Sequence, residues 1–220
     1  MIILPFLFIF VIIGLIVFIA IYSYQKEKER TQQMQAVASQ IGWQFAPSMP
    51  LNMIPGFDRF SLFSQGHSKG IKNMIYGQAN GVKAAIFDYT YATGHGKNRH
   101  TYNQTVVYFE PTHLRLPYFS LRPESAFHKL FSVFGYQDID ITHRPLFSGK
   151  YLLRGQDEQA IRWMFQDALL NFYEANQGIC TDGGGNQLLV YRAGYRVAPQ
   201  EVQSYVGWGL GLLNLFPRSW

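Results

Sequence analysis

Apolar positions fall into three regimes along this chain. Residues 1–21 form an almost unbroken apolar run, 19 of 21 positions, interrupted only by Pro5 and Gly14. At ~1.5 Å per residue the run makes about 32 Å of helix, which matches the ~30 Å hydrocarbon core of a bilayer. From Gln25 the chain turns polar and helix-favouring, with Met34, Val37, Ala38 and Ile41 at i, i+3, i+4 and i+7 and Gly42 placed to cap the helix. The pattern predicts a transmembrane anchor over 1–24, an amphipathic juxtamembrane helix over 25–42 and a soluble domain over 43–220. A cleaved signal peptide fits less well: no Lys or Arg precedes the run, the run is too long, and no A-x-A pattern follows it.

Within the soluble part the period changes to two. Trp43-Gln44-Phe45 reads as a short strand, closed by a Pro-rich passage that ends at Pro55-Gly56. Residues 71–79 and 82–91 flank Asn80-Gly81, the pair that supplies positive φ at both centres of a type I′ turn, and so predict a tight hairpin. In the second arm Ala85, Phe87, Tyr89 and Tyr91 share one face and Val82, Ala84, Ile86 and Asp88 the other. Both faces are largely apolar, as in an interior strand covered on two sides. A third strand is expected over 102–110, and Pro111 and Pro117 restrict 118–121 to an edge strand.

Later residues read mainly as helix: a short one over 125–134, a long one over 157–174 and a last one from Pro199 to about Phe216. In the long helix Ile161, Phe165, Ala168 and Phe172 form the apolar stripe, and Glu158 can pair with Arg162. Short strands are expected over 138–142 and 151–153, and a hairpin joins 179–181 to 187–192 around Asp182-Gly183-Gly184-Gly185-Asn186. Strands that cluster early (43–122) and helices that cluster late (123–220), without β-α-β alternation, define an α+β class with antiparallel hairpins and packed helices.

The runs Ala38-Ser39-Gln40-Ile41-Gly42-Trp43, Asn73-Met74-Ile75-Tyr76-Gly77 and Phe87-Asp88-Tyr89-Thr90-Tyr91, with the Gly-rich loop after them, resemble a family of single-span bacterial membrane proteins of unknown function. The likeness covers roughly residues 38–100. It implies a bacterial cytoplasmic-membrane setting and no substrate, cofactor or catalytic residue.

Charge sharpens the picture of location. Residues 1–25 carry none, while Lys26, Lys28 and Arg30 follow the apolar run at once. By the positive-inside rule the N-terminus then lies outside and the domain in the cytoplasm. Cys180, alone in the chain, agrees with a compartment that does not rely on disulfides and reads as a small apolar filler. The overall charge of +5 is diffuse, with 16 basic and 12 acidic side chains over residues 31–220, and no dense patch or fold motif points to nucleic acid.

Candidate chemistry is sparse. His95, Lys97, Arg99 and His100 lie in one Gly-rich loop and suit contact with an anion or a lipid headgroup more than a metal, because the two cations would repel one. His113 follows the next strand, so three imidazoles would converge if the hairpin folded them back. Gly183-Gly184-Gly185 lacks the Lys and Ser or Thr of a phosphate-binding loop, and the glycines around Gly207-Trp208-Gly209-Leu210-Gly211 suit close helix packing. Asp88, on a covered face, is a buried acid that needs a partner or a shifted pKa. No cofactor or metal is implied. The expected function is a membrane-anchored module that meets a protein partner or lipid; the alternative is a membrane-associated hydrolase of a phosphorylated or lipid-linked substrate, using the 95–100 loop and Asp88.

Overall fold

The computed structural model describes residues 3–124 and 138–217. The two helical segments expected at the N-terminus are one uninterrupted helix, α1 (Ile3–Gln40), because good helix formers carry the apolar run straight through residues 25–33. It ends as Gly42 takes φ +70° and the N–H groups of Gly42 and Trp43 bond the carbonyls of Ser39 and Ala38, at 3.3 and 2.9 Å, which is the Schellman pattern. Ile9 through Tyr24 stay exposed on every side, Phe10 at 70% and Phe18 at 66%. The segment is long and apolar enough to cross a membrane. An all-round apolar helix needs apolar surroundings, which the domain does not supply here.

The domain is one eight-stranded antiparallel sheet in the order β1-β2-β3-β4-β8-β7-β5-β6. Its strands are β1 (Gln44–Met49), β2 (His67–Ala79), β3 (Val82–Thr93), β4 (His100–Glu110), β5 (Leu116–Pro123), β6 (Tyr151–Gly155), β7 (Ile179–Gly185) and β8 (Gln187–Arg192). One face carries the larger core, where Met34 and Ala38 of α1, the helices α4 (Glu158–Met164) and α5 (Asp167–Ala175), and α6 (Val202–Leu213) cover the sheet. The other face is covered by the 51–64 segment, which includes the single turn α2 (Ser61–Ser64) and buries Ile54, Phe60, Leu62 and Phe63 on Phe87 and Tyr89. A further turn, α3 (Pro145–Ser148), leads into β6. The fold is therefore α+β, a long apolar helix followed by antiparallel hairpins and packed helices.

The β2–β3 hairpin turns at Asn80-Gly81, with φ +52° and +79°, and β3 is covered on both faces. Several expectations need correction. Residues 118–121 do not form an edge: β5 pairs with both β6 and β7, and Pro117 is tolerated because it falls in a register irregularity between Leu116 and Phe119. Residues 138–142 make only one bridge, Asp138 to Arg154, so their alternation seats Ile139 and Ile141 in the core without building a strand. The helix over 157–174 breaks at Phe165-Gln166, where both residues leave helical dihedrals. The break turns Phe165 edge-on to Phe119 at 5.4 Å and moves the buried stripe to Leu169, Leu170 and Tyr173, leaving Ala168 exposed. The helix expected over 125–134 lies outside the described residues.

The glycine run is also strand rather than turn. β7 continues to Gly185, and only Gly185-Asn186 turn the corner, with Gly184 paired to Gln187. The aromatic rings of β5 explain the composition: a Cβ on Gly183 would lie 2.2 Å from Phe119, and one on Gly184 2.2 Å from Tyr118. Gly209 likewise lets α6 close on Phe109 of β4, where a Cβ would approach to 2.9 Å. Gly183→Ala therefore lowers stability by ~1–3 kcal/mol through overpacking, whereas Gly207→Ala on the open side of α6 is close to neutral. Thermal unfolding of the two variants beside the parent chain checks this; equal melting temperatures for all three would contradict it.

Candidate functional site

Where α1 leaves its apolar stretch and meets the sheet, five segments bring ionic and polar side chains together around Asp88. β3 supplies Asp88 itself, 4% exposed on the α1 side of the sheet. Arg30 of α1 grips it with two bonds, Nε to Oδ2 and Nη2 to Oδ1, both 2.7 Å. Asn73 donates to Oδ2 at 2.9 Å, Thr105 of β4 to Oδ1 at 3.0 Å and Arg196 to Oδ2 at 3.1 Å. Arg196 in turn holds Glu27, one helical turn before Arg30, at 2.5 and 3.1 Å. Two acids and two guanidiniums thus form a neutral tetrad, linked in the order Arg30–Asp88–Arg196–Glu27, between helix and sheet.

Local backbone features aim these groups. Asn73 adopts φ +53° at a register shift between Lys72 and Ile75, a bulge that reverses the alternation of β2. Ile71 and Met74 consequently face one core and Ile75 the other, while the Asn73 amide reaches Asp88. On the far side, the N–H of Val197 donates to Thr105 Oγ1 at 3.0 Å and that of Thr105 to the Tyr195 carbonyl at 2.9 Å. These bonds seat the turn after β8 so that Arg196 enters the cluster.

The electrostatics follow from this packing. Burial pushes the Asp88 carboxyl up, but the Arg30 hydrogen bonds and charge, with Asn73 and Arg196, outweigh it and hold the group below its ordinary value. The Arg196 hydrogen bond does the same for Glu27 against partial burial. A carboxylate has about four acceptor sites, and Asp88 receives five hydrogen bonds, so no lone pair remains for proton transfer.

A second buried network lies on the opposite face. Arg122 of β5 donates to Asp182 of β7 at 2.6 Å, Ser61 Oγ is 2.5 Å from Arg122 and 3.2 Å from Asp182, and the Leu62 N–H donates to Asp182 at 2.8 Å. Burial alone would push the Arg122 guanidinium down; the Asp182 charge more than offsets it and holds it up. This network pins the 51–64 segment to the sheet. Cys180 beside it is buried, and burial pushes its thiol up to about 11, which suits an unreactive filler.

The loop residues singled out from sequence are not part of either network. His95, Lys97, Arg99 and His100 are all exposed at the end of the β3–β4 hairpin, in a short 3-10 turn at Gly96–Asn98. His95 stacks on His67 of β2 at 4.7 Å with planes 3° apart, and His67 Nε2 lies 2.8 Å from the Gly94 carbonyl. His113 follows the opposite end of β4, about 33 Å of strand away. The three imidazoles therefore do not converge, and among the described residues no group of three or more potential ligands could hold a metal. Asp88 is buried under α1, whereas the loop is exposed at the end of the sheet. An open groove of about 770 Å³ lies toward the far end of the sheet, lined by Trp43, Met49, Met53, Met74 and Tyr108.

Sequence reasoning found Asp88 and its need for a partner but not the partners. In the sequence Arg30 reads as a flanking charge and Asn73 as part of a strand run, and no local signal marks Glu27, Thr105 or Arg196 as partners. Asn73 stands in the same short run as Gly77, where a Cβ would lie 2.7 Å from the Trp43 ring, so residues 38–43, 73–77 and 87–91 meet at one helix–sheet seam.

Fold and site together define a class: an antiparallel α+β domain locked by a buried ionic seam onto the base of its own apolar helix. No family model matches the chain, and no curated protein matches it. Among solved structures the chain is similar to the mycobacterial trehalose monomycolate transport factor A, TtfA, with TM-score 0.58 and 14% identity over 85% of this chain and 96% of that one. The likeness is one of fold.

Removing one tetrad member strands its partners. Asp88→Ala leaves Arg30 without its counter-charge and Arg196 with Glu27 alone, and destabilises the full chain by ~3 kcal/mol or more. Because the folded pKa values of Asp88 and Glu27 lie below the unfolded ones, their contribution is full at neutral pH and is lost as pH falls below ~4. Denaturant unfolding of parent and Asp88→Asn chains across pH should show a gap that closes on the acid side; a gap that widens there would refute the assignment.

Proposed function

We propose that this chain is a single-span protein of the bacterial cytoplasmic membrane whose α+β domain is an interaction module, held rigidly on its anchor. The observation that carries this reading is the saturation of Asp88. Its oxygens are taken up by Arg30, Arg196, Asn73 and Thr105, so the most buried acid of the early strands serves to join helix and sheet. Continuous helix across the seam means that the domain inherits the orientation of the anchor. Lys26, Lys28 and Arg30 beside the apolar run favour the cytoplasmic side.

TtfA is a transport factor, a role that suits a protein assisting a membrane process, and the shared fold lends the module reading support at the level of architecture. The hydrolase alternative would need Asp88 and the 95–100 loop to face one substrate. They lie apart, one buried under α1 and the other exposed at the sheet end.

A reporter fused after Trp220 is expected to be active only when it requires the cytoplasm; periplasmic reporter activity would overturn the orientation. The purified full chain is expected to leave phosphoesters and lipid-linked phosphates uncleaved. Turnover that disappears in Asp88→Asn while the fold persists would revive the hydrolase.

A further inference from the structure

Direction along the seam sets what faces the membrane. α1 runs from Arg30, which touches Asp88, to its end at Gln40, and Trp43 just beyond it packs on Gly77, which pairs with Ala84. As the helix descends from 30 to 40, β3 is therefore read backwards from 88 to 84. About 15 Å of helix lies beside about 13 Å of strand, so the two are close to antiparallel. The end of β3 beyond Asp88 points back along α1, toward the apolar stretch.

The distances then decide how far it reaches. From Asp88 to Thr93, where the loop begins, is about 17 Å of strand, while from Arg30 back to Gln25 is only about 7.5 Å of helix. The loop reaches the level of Gln25 for any crossing angle below about 60°. The 94–100 turn is thus carried to the depth at which a bilayer holding residues 1–24 presents its headgroups.

This end is also uniformly basic. Residues 93–103 contain Lys97, Arg99, His95 and His100 and no acid, and His67 joins them from β2. Among the described residues neither Lys97 nor Arg99 has a carboxylate within ion-pair distance. The turn is built rather than loose: Gly94 has φ +66°, and a Cβ there would lie 2.2 Å from the Asn98 carbonyl. At the opposite end of the sheet, Lys83 is paired with Glu110. Of the two ends of the β3–β4 hairpin, the one with unpaired Lys97 and Arg99 is the one the anchor brings to the membrane.

We propose that the Gly94–His100 turn, with Lys97 and Arg99 as its cations, is a contact surface for anionic phospholipid headgroups that fixes the tilt of the domain over the bilayer. The proposal rests on the membrane-anchored reading. Two cations are too few to bind a membrane alone, but the anchor holds them at the surface, so their attraction is realised as orientation.

The test uses the full chain in vesicles of phosphatidylcholine alone or mixed with phosphatidylglycerol. Fluorophores are placed on Asn98→Cys in the turn or Asn80→Cys at the far hairpin tip, with buried Cys180 left unlabelled, and quenched by spin-labelled headgroups. Quenching is expected at position 98, stronger with phosphatidylglycerol, and absent at position 80. Lys97→Gln and Arg99→Gln should each reduce the contact equilibrium about fivefold at low salt, and ~1 M salt should remove the lipid dependence. Equal quenching at 98 in both vesicle types, untouched by the substitutions, would overturn the lipid contact and leave the rigid anchor intact. Equal quenching at 98 and 80 would overturn the rigid anchor and the lipid contact together. Release by inorganic phosphate at constant ionic strength would make the turn a small-anion site and also overturn the proposal.

Discussion

Asp88 is buried between a helix and a sheet, and a carboxylate there is stable only if its charge is met by directional donors. Arg30 and Arg196 meet it from opposite sides, one from the anchor helix and one from the turn after β8, and Glu27 balances the second arginine. Every segment that contributes is thereby fixed in place. The helix cannot slide along the sheet without parting a bidentate pair, and the turn cannot lift without exposing Thr105 and Val197. Apolar packing of Met34 and Ala38 supplies area at this seam, but area alone is non-directional. The ionic tetrad supplies register.

The same division of labour recurs on the other face. The 51–64 segment covers the sheet with Ile54, Phe60, Leu62 and Phe63, yet its position is set by Ser61 and the Leu62 amide bonding the Arg122–Asp182 pair. Two buried ionic seams, one per face, thus attach two coverings to one sheet. The glycines of β7 make room for the rings of β5 that pack above them, and Gly209 does the same for α6 on Phe109. Small residues here are counterparts of large ones, which is why a three-glycine run is strand.

A rigid seam next to an apolar helix also has a geometric consequence. Because α1 is continuous, any tilt of the anchor is a tilt of the sheet, and the two ends of the sheet are not equivalent. One end carries exposed Lys97 and Arg99; the far end carries the Met-lined groove and an ion-paired hairpin. In the proposed membrane-anchored arrangement, such a module offers different chemistry near to and far from the bilayer.

Local signals in the sequence determined much of this protein. The apolar run, the Gly42 stop, the Asn80-Gly81 turn, the doubly covered β3 and the buried Asp88 all follow from patterns a few residues long, because helix period, strand alternation and turn dihedrals are local properties. Tertiary structure alone decided the rest. Residues 30, 73, 88, 105 and 196 meet only when the sheet order β3-β4-β8 and the docking of α1 are known, and no spacing along the chain encodes that meeting. The break at Phe165, the interior place of β5 and the strand-forming glycines have the same origin. Each is a local preference overruled by a ring or a partner strand that arrives from elsewhere in the chain.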